Sequence, residues 1–146
     1  MIPKFRSWVE NIRHPEFSFM QYAPEFNGEI NKIFENDGEI QHGVKVSYMQ
    51  STGLKDKNGV EIYVGDIVRH SHIVTDISIV RFGEFGVPNM EEQSYQDCAV
   101  GFYYENASEF KDIEPFNMTM PLNSDYVKDV LVNGNIYANP ELLNNL

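Results

Sequence analysis

The sequence predicts a mainly β protein built as a small barrel or sandwich. Three observations support this: short runs in which polar and apolar residues alternate, glycine-containing turns between these runs, and little helical periodicity. The 146-residue chain is 13% aromatic and 42% hydrophobic, which is enough for a packed core. We expect a single domain over residues 1–146, with its barrel core at roughly 44–133.

The first predicted strand lies near the start of the chain. "KFRSWV" alternates, so an extended backbone would place Phe5 and Ser7 on one side and Arg6 and Trp8 on the other. Residues 10–43 have aromatic residues without clean periodicity. The segment around "NDG" in this stretch fits either a short helix or a hairpin, and both interpretations stay open.

The middle of the chain predicts a strand, a turn and two further strands. "VKVSYMQ", which begins at Val44, alternates as a half-buried strand does. Asn58 and Gly59 follow, and Asn-Gly between apolar runs is a strong hairpin signal. Gly65 and Asp66 mark a second turn, after which "IVRH" continues as a strand.

Two longer β-rich segments come next. "HIVTDISIVRFGEFG" predicts a strand from about Ile73 to Phe82 that turns back at Gly83 and Gly86. "CAVGFYYE" predicts another strand over residues 98–105. Because "VPNMEEQSYQD" contains a proline and an acidic pair, we expect an exposed loop between them.

The end of the chain predicts a last strand and one helical turn. "DYVKDVLV" favours a strand that begins near Tyr126 and stops at Gly134. Asn139 is a good N-cap, Pro140 fits the first helical position, and Glu141 complements the helix dipole. We therefore expect a short helical turn in "NPELLNN".

The charge balance bounds the partners. With 11 Lys and Arg against 22 Asp and Glu, the formal net charge is −11, which repels phosphate backbones and anionic lipid headgroups. Nucleic-acid binding is therefore disfavoured, although a local basic face around Lys4, Arg6 and Arg13, or acidic mimicry of nucleic acid, remains the alternative. The single Cys98 excludes an internal disulfide, and no apolar stretch predicts a signal peptide or a membrane span, so we expect a cytoplasmic protein.

Candidate catalytic groups are weak. His70 and His72 would share one face of an extended strand, and a metal-dependent enzyme using them is a lesser alternative that needs a further ligand such as Asp66 or Asp76. Cys98 lies in "QDCAVGF", which is typical of a buried strand cysteine rather than a nucleophile. "GLKDKNG" lacks the lysine-hydroxyl ending of a phosphate-binding loop. We predict no catalytic residue, no metal site and no cofactor.

Three segments carry a family resemblance. "KFRSW" near the start, "MQSTGLKDKNGVEIYVGDIV" in the middle and "GNIYANPELL" near the end resemble the signatures of the YopX family of bacteriophages and prophages. Ser51, Val64 and Ala138 depart from residues common in that family. The motif positions, interpreted as structural, are Lys4, Phe5, Arg6, Trp8, Met49, Gln50, Thr52, Gly53, Leu54, Asp56, Asn58, Gly59, Ile62, Tyr63, Gly65, Asp66, Ile67, Val68, Gly134, Asn135, Ile136, Tyr137, Asn139 and Pro140.

The resemblance implies a fold and a source rather than a mechanism. It implies a small SH3-like barrel around "GDIV", with additional strands and short helical segments at the ends, and no established activity or catalytic residues. We therefore expect a phage or prophage accessory protein that is a non-catalytic binding or assembly module. A protein partner or self-association is expected, with a homo-oligomer possible. The aromatic segments "EFSFMQY" and "GFYYE" are candidate contact surfaces, although core packing is the more common role of such residues.

Overall fold

The computed structural model describes residues 4–22, 40–41, 43–73, 76–89, 94–107 and 119–144. The chain forms two compact units, Met1–Ser51 and Thr52–Leu146. The predicted mainly β class is confirmed, while a single domain with a core at 44–133 stays a prediction. None of the helices within the described ranges is long and apolar enough to cross a membrane.

The first unit is an antiparallel sheet with the strand order β2-β1-β4-β3. Its strands are β1 (Phe5–Asn11), β2 (Phe19–Tyr22), β3 (Ile40–Gln41) and β4 (Val44–Lys55), and β4 continues into the second unit. Both β1 and the start of β4 are strands, as predicted, but their burial does not follow the alternation: Phe5, Arg6 and Ser7 are all buried in β1, and the buried residues of β4 are Ser47 and Met49. A 3-10 turn at Pro15–Phe17 joins β1 to β2. The "NDG" segment lies outside the described residues.

The second unit contains a sheet with the strand order β10-β6-β7-β8-β9, and β5 pairs with β4. Its elements are β5 (Glu61–Tyr63), β6 (Asp66–His70), β7 (Ile77–Asn89), β8 (Ser94–Asn106), β9 (Thr119–Pro121), α1 (Ser124–Val127), β10 (Val130–Asn135) and α2 (Glu141–Asn144). All pairings along this sheet are antiparallel.

The two predicted turns around β5 are present. Gly59 has φ 80° and Gly65 has φ 94°, values that glycine adopts without the steric cost of a side chain. The Lys57 N–H donates to the Val130 carbonyl at 3.0 Å, so the first turn contacts β10 at the end of the sheet. An SH3-like barrel fits this contact and stays a prediction.

The predicted turn at Gly83 and Gly86 is wrong, because β7 runs through both glycines. Gly83 pairs with Gly101 and Gly86 pairs with Cys98, so the antiparallel ladder between β7 and β8 continues past the expected turn. Glycine permits a turn but does not force one when a neighbouring strand satisfies its backbone hydrogen bonds.

The exposed loop expected at "VPNMEEQSYQD" is also largely wrong. β7 extends to Asn89 and β8 begins at Ser94, with a register shift between Val87 and Pro88. Residues 90–93 lie outside the described residues. The expected start of the strand at Ile73 is corrected to Ile77.

The last predicted strand begins later than expected. Tyr126 belongs to α1, because the side chain of Asn123 accepts hydrogen bonds from Asp125 N at 3.0 Å and Tyr126 N at 2.8 Å and caps a helical turn. β10 runs through Gly134 with an irregular register instead of stopping there. The predicted terminal helical turn is present as α2.

A cluster of buried apolar residues in the second unit packs on one face of its sheet. β7 and β6 contribute Val80 and Val68, which are fully buried, and α1 contributes Val127. The remaining buried members are Ile62 and Val130. The half-buried side chains packed on this core are Leu54, Leu122, Tyr126 and Val132.

Candidate functional site

The sheet face that carries Val80 continues outward as an exposed apolar surface. Phe82 and Val100 are 53% and 74% exposed, and Met120 is 36% exposed. Phe82 is directly opposite Phe102 in the register, and their rings meet edge to face with centroids 4.9 Å apart. We call these four residues the apolar face.

The inner border of the apolar face is a pair of stacked tyrosines. Tyr104 on β8 and Tyr126 on α1 are nearly parallel, at 5°, with ring centroids 3.9 Å apart. Met120 is opposite Tyr104 in the register, so the stack lies beside the apolar face. The stack marks the point at which α1 stops covering the sheet and the apolar surface becomes exposed.

The tyrosine stack is uncharged at neutral pH. Burial raises the pKa of Tyr126 well above its ordinary value. A hydrogen bond with the buried Ser78 lowers this pKa in part, while the negative charge of Asp76, and the charge that Tyr104 gains when it ionises, raise it further. Burial also raises the pKa of Tyr104, with a further contribution from Asp76. Asp76 accepts a hydrogen bond from the Asn106 amide at 2.8 Å. Because both hydroxyls hold their protons, neither tyrosine is suited to act as a base or a phenolate nucleophile.

The apolar face carries a carboxylate. Glu84 is opposite Val100 and is exposed. Arg81 is the one basic residue in the sequences of β7, β8 and β9, and it alternates onto the opposite face, where its Nε lies 3.7 Å from the Glu105 carboxylate. The described part of the apolar face is therefore apolar and acidic.

The opposite face of the same sheet is less suited to a partner. Phe85 is buried there and stacks on Tyr103 with ring centroids 4.9 Å apart. A shallow cavity of about 200 Å³ lies nearby, lined by Ile79, Arg81, Glu105, Asn106, Ala107 and Leu143. It is smaller than the pockets that enclose drug-sized ligands, which start at about 300 Å³.

The central sequence motif uses its polar groups inside the fold. Asp56 is 7% exposed, and its Oδ1 accepts hydrogen bonds from Asn58 N at 2.8 Å and Val60 N at 2.9 Å. Its Oδ2 accepts from Val132 N at 2.9 Å, which ties the turn to β10, 76 residues further along the chain. All three contacts satisfy backbone groups, so this carboxylate is engaged in architecture.

The family assignment follows from a comparison with protein-family models. The model described as YopX protein matches residues 4–144, nearly the whole chain. The chain belongs to the YopX family. No curated protein matches the chain.

A similar solved structure covers nearly the full length of the chain. It is the crystal structure of protein EF1440 from Enterococcus faecalis, which is 24% identical to this chain. The match covers 98% of this chain and 99% of that chain, with a TM-score of 0.46.

The YopX motif residues differ widely in exposure. Eleven are buried: Phe5, Arg6, Met49, Asp56, Ile62, Tyr63, Gly65, Asp66, Ile67, Val68 and Asn135. Eight are half-buried: Trp8, Gln50, Thr52, Leu54, Gly134, Ile136, Tyr137 and Asn139. The exposed ones are Lys4, Gly53, Asn58, Gly59 and Pro140.

The "GDIV" part of the YopX motif is held by a buried carboxylate. Asp66 is fully buried, and its Oδ2 accepts a hydrogen bond from Tyr63 N at 2.8 Å across the Gly65 turn. The Tyr63 hydroxyl donates to the Glu61 carboxylate at 2.7 Å. Gly65 O in turn accepts from Ile136 N at 2.9 Å, so the central and terminal YopX motifs are joined directly.

Side chains of the terminal YopX motif accept hydrogen bonds from the motif's own backbone. Asn135 Oδ1 accepts from Tyr137 N at 3.0 Å and from Ala138 N at 2.8 Å. Asn139 was predicted as the helix N-cap, but its side-chain Oδ1 accepts a hydrogen bond from Asn135 N at 3.2 Å. The backbone carbonyl of Asn139 accepts a hydrogen bond from Leu142 N at 3.1 Å. Its carboxamide therefore closes the preceding turn.

One of the three residues proposed for a basic face is buried. Arg6 is 5% exposed, and its Nη2 lies 3.5 Å from the Met49 sulfur. Lys4 and Arg13 are exposed. Of the three residues proposed for a basic face, Arg6 is thus withdrawn from the surface.

The histidine pair is close but has no third ligand in the described part of the chain. The rings of His70 and His72 have centroids 5.8 Å apart, and His70 Nδ1 accepts a hydrogen bond from His72 N at 3.1 Å. No three His, Cys, Asp or Glu side chains come together as a metal site within the described residues. Asp66 is engaged at the Gly65 turn.

Sequence reasoning missed most of the apolar face. "GFYYE" included Phe102 among candidate contact residues, but Phe82, Val100 and Met120 were not singled out. The available signal was the alternation of Val80 and Phe82 opposite Val100 and Phe102. That pattern identifies one face of a sheet without indicating where its cover ends.

Proposed function

We propose that this YopX-family chain is a phage or prophage accessory protein that acts in the bacterial cytoplasm as a non-catalytic binding module. The observation that carries the proposal is the apolar face. Its aromatic and aliphatic side chains continue the core-facing side of the sheet into solvent, and exposed apolar patches of this kind mark interaction sites.

The chemistry of the apolar face favours binding over catalysis. Phe82 and Phe102 form a preformed edge-to-face pair, which needs little ordering on association. The two tyrosines at the inner border of the face, Tyr104 and Tyr126, hold their protons because burial raises each pKa, and Glu84 lies beside Val100 at the other end. An exposed aromatic pair with charge only at its border is typical of a protein interface, whose centre is depleted in charged residues.

The test places a photo-reactive phenylalanine analogue at position 82 and, as a control, at position 60. Val60 is 49% exposed at the tip of the β4–β5 turn, outside the apolar face. After irradiation in a bacterial lysate, products are identified by mass spectrometry. We expect a defined crosslinked protein from position 82 and background from position 60.

Matched substitutions decide whether the crosslink reports the apolar face. Val100→Lys places a charge on the most exposed residue of the face, and Val60→Lys makes the same change elsewhere. Both side chains are exposed, so both variants should fold, which circular dichroism checks. We expect Val100→Lys to reduce the crosslink yield at least about tenfold, as loss of a hot-spot contact does. Equal yields for the two lysine variants would contradict the proposed function.

A further inference from the structure

We infer that the apolar face docks a protein segment in which lysine or arginine lies beside apolar side chains. This inference rests on the proposed binding function and adds the chemistry of the partner. It is carried by the distribution of charge in the second unit and by the side chains that border the apolar face.

The long-range field favours a basic partner. Residues 52–146 contain 15 Asp and Glu against 6 Lys and Arg, so they hold −9 of the formal net charge of −11. The apolar face belongs to this unit. A field of this sign speeds the association of basic partners and slows that of acidic ones.

The local charges agree with the long-range field. Glu84 lies directly opposite Val100, the most exposed residue of the apolar face. The one cation of the three strands, Arg81, lies on the other face and is paired with Glu105. A cation from a partner would therefore find a carboxylate beside the apolar contact and no competing cation on the described part of β7–β9.

A second copy of the chain fits this surface less well. A two-fold symmetric contact through the apolar face would bring the same patch of each copy together, including both Glu84 carboxylates. Each copy would also carry −11 overall. Like charges that meet at an interface oppose association, so we assign the face to a different, basic chain.

Two synthetic peptides test the assignment. Both are acetylated and amidated and contain Leu, Phe and Val at the same three positions; one has Lys between them, and the other has Glu in place of each Lys. Each is titrated into the 15N-labelled full-length chain, and backbone amide shifts are followed. We expect the Lys peptide to shift the amides of Phe82, Val100 and Phe102 and the Glu peptide to bind at least about fivefold more weakly.

Charge-neutral substitutions locate the effect. Glu84→Gln removes the carboxylate from the border of the apolar face, and Glu141→Gln removes an exposed carboxylate from α2, whose Leu143 lines the cavity on the opposite side of the sheet. For a single exposed charge pair we expect Glu84→Gln to weaken the Lys peptide about two- to fivefold. Glu141→Gln should leave its affinity unchanged, and added salt should remove the difference between wild type and Glu84→Gln.

The outcomes separate this inference from the proposed function. Equal shifts of the apolar-face amides by both peptides would overturn the basic partner while leaving the binding face in place. Shifts confined to other residues would also overturn it, as would concentration-dependent shifts at Phe82 and Val100 without peptide, which would indicate self-association. The proposed function fails separately, through equal crosslink yields from Val100→Lys and Val60→Lys.

Discussion

Removing the Asp56 carboxylate should destabilise the second unit far more than removing an exposed carboxylate. The carboxylate accepts hydrogen bonds from the N–H groups of Asn58, Val60 and Val132, at 2.8, 2.9 and 2.9 Å. Asp56→Ala deletes all three contacts. Asp56→Asn keeps an oxygen for the turn, but its NH2 group then faces the Val132 N–H, so that two donors meet.

The expected loss of stability depends on whether each backbone N–H group can bond to water once the carboxylate is removed. Hydrogen bonds to charged groups contribute about 1.5–3 kcal/mol each, but Asn58 and Val60 are exposed and their N–H groups can return to water. The half-buried Val132 N–H loses its partner with less compensation, at about 1–3 kcal/mol. We expect a cost of about 3–4 kcal/mol for Asp56→Ala and about 1.5–2 kcal/mol for Asp56→Asn.

The assay is urea unfolding followed by far-ultraviolet circular dichroism. With a denaturant slope of about 2 kcal/mol per molar, Asp56→Ala should lower the midpoint by about 1.5–2 M. The control is Asp125→Ala, because the Asp125 side chain is 93% exposed and pairs with Lys128 at the surface. That variant should cost no more than about 0.5 kcal/mol.

The result that would refute the reasoning is an Asp56→Ala variant as stable as Asp125→Ala. Three short contacts to backbone donors would then contribute nothing to folding, and the carboxylate would need another explanation, such as contact with a ligand. A larger loss for Asp56→Asn than for Asp56→Ala would also contradict the bond-by-bond estimate.

Two further substitutions test other parts of the second unit. Gly134→Ala should cost about 1–3 kcal/mol in chemical unfolding, because a Cβ there would lie 2.6 Å from Asn139 Oδ1; Gly101→Ala, where a Cβ meets nothing within 4 Å, should be nearly neutral. Tyr126→Phe should cost about 1 kcal/mol at pH 7, because the buried Ser78 hydroxyl loses a partner. Since burial raises the pKa of Tyr126, the unfolded chain loses this proton above about pH 10 while the folded chain keeps it, so wild-type stability should fall as pH rises, by up to about 1.4 kcal/mol per pH unit. Tyr126→Phe should reduce that slope in pH-dependent melts, and an unchanged slope would contradict the burial argument.

Sequence patterns predicted the elements that are determined locally. Alternation identified β1 and β4, and the Asn58-Gly59 signal identified a turn that the neighbouring Asp56 carboxylate holds closed. Gly83 gave the same kind of signal but lies inside a strand, because its backbone continues the ladder with β8. A glycine signal alone therefore does not distinguish a turn from a strand whose partner lies far along the chain.

The error at Tyr126 had a different physical cause. Apolar, β-branched neighbours favoured a strand, but Asn123 caps a helical turn with two hydrogen bonds. The apolar Val127 is buried against Val80 and Val130 from the helical conformation as well. The apolar residues that predicted a strand are therefore buried equally well from a helical turn, so their pattern did not distinguish the two conformations.

The exposed part of the sheet could not have been predicted from alternation. Val80 and Phe82 are two residues apart on the same face of β7, yet Val80 is fully buried and Phe82 is 53% exposed. Val80 belongs to the buried cluster that α1 joins through Val127, whereas Phe82 lies outside that cluster. Which strand residues a distant helix covers depends on the whole fold, whereas alternation reports only the face.

The motif residues and the apolar face divide the chain into positions that build the fold and positions that we propose contact a partner. The side-chain oxygens of Asp56, Asp66 and Asn135 accept backbone hydrogen bonds within the fold. They therefore have little capacity left for hydrogen bonds to a partner. The apolar face lies between the central and terminal motif segments, outside the motif residues themselves. Substitutions at the motif should therefore act first on stability, and substitutions at Val100 or Glu84 first on binding. If YopX chains keep the motif but change this stretch, they should share a scaffold while differing in the partners they bind.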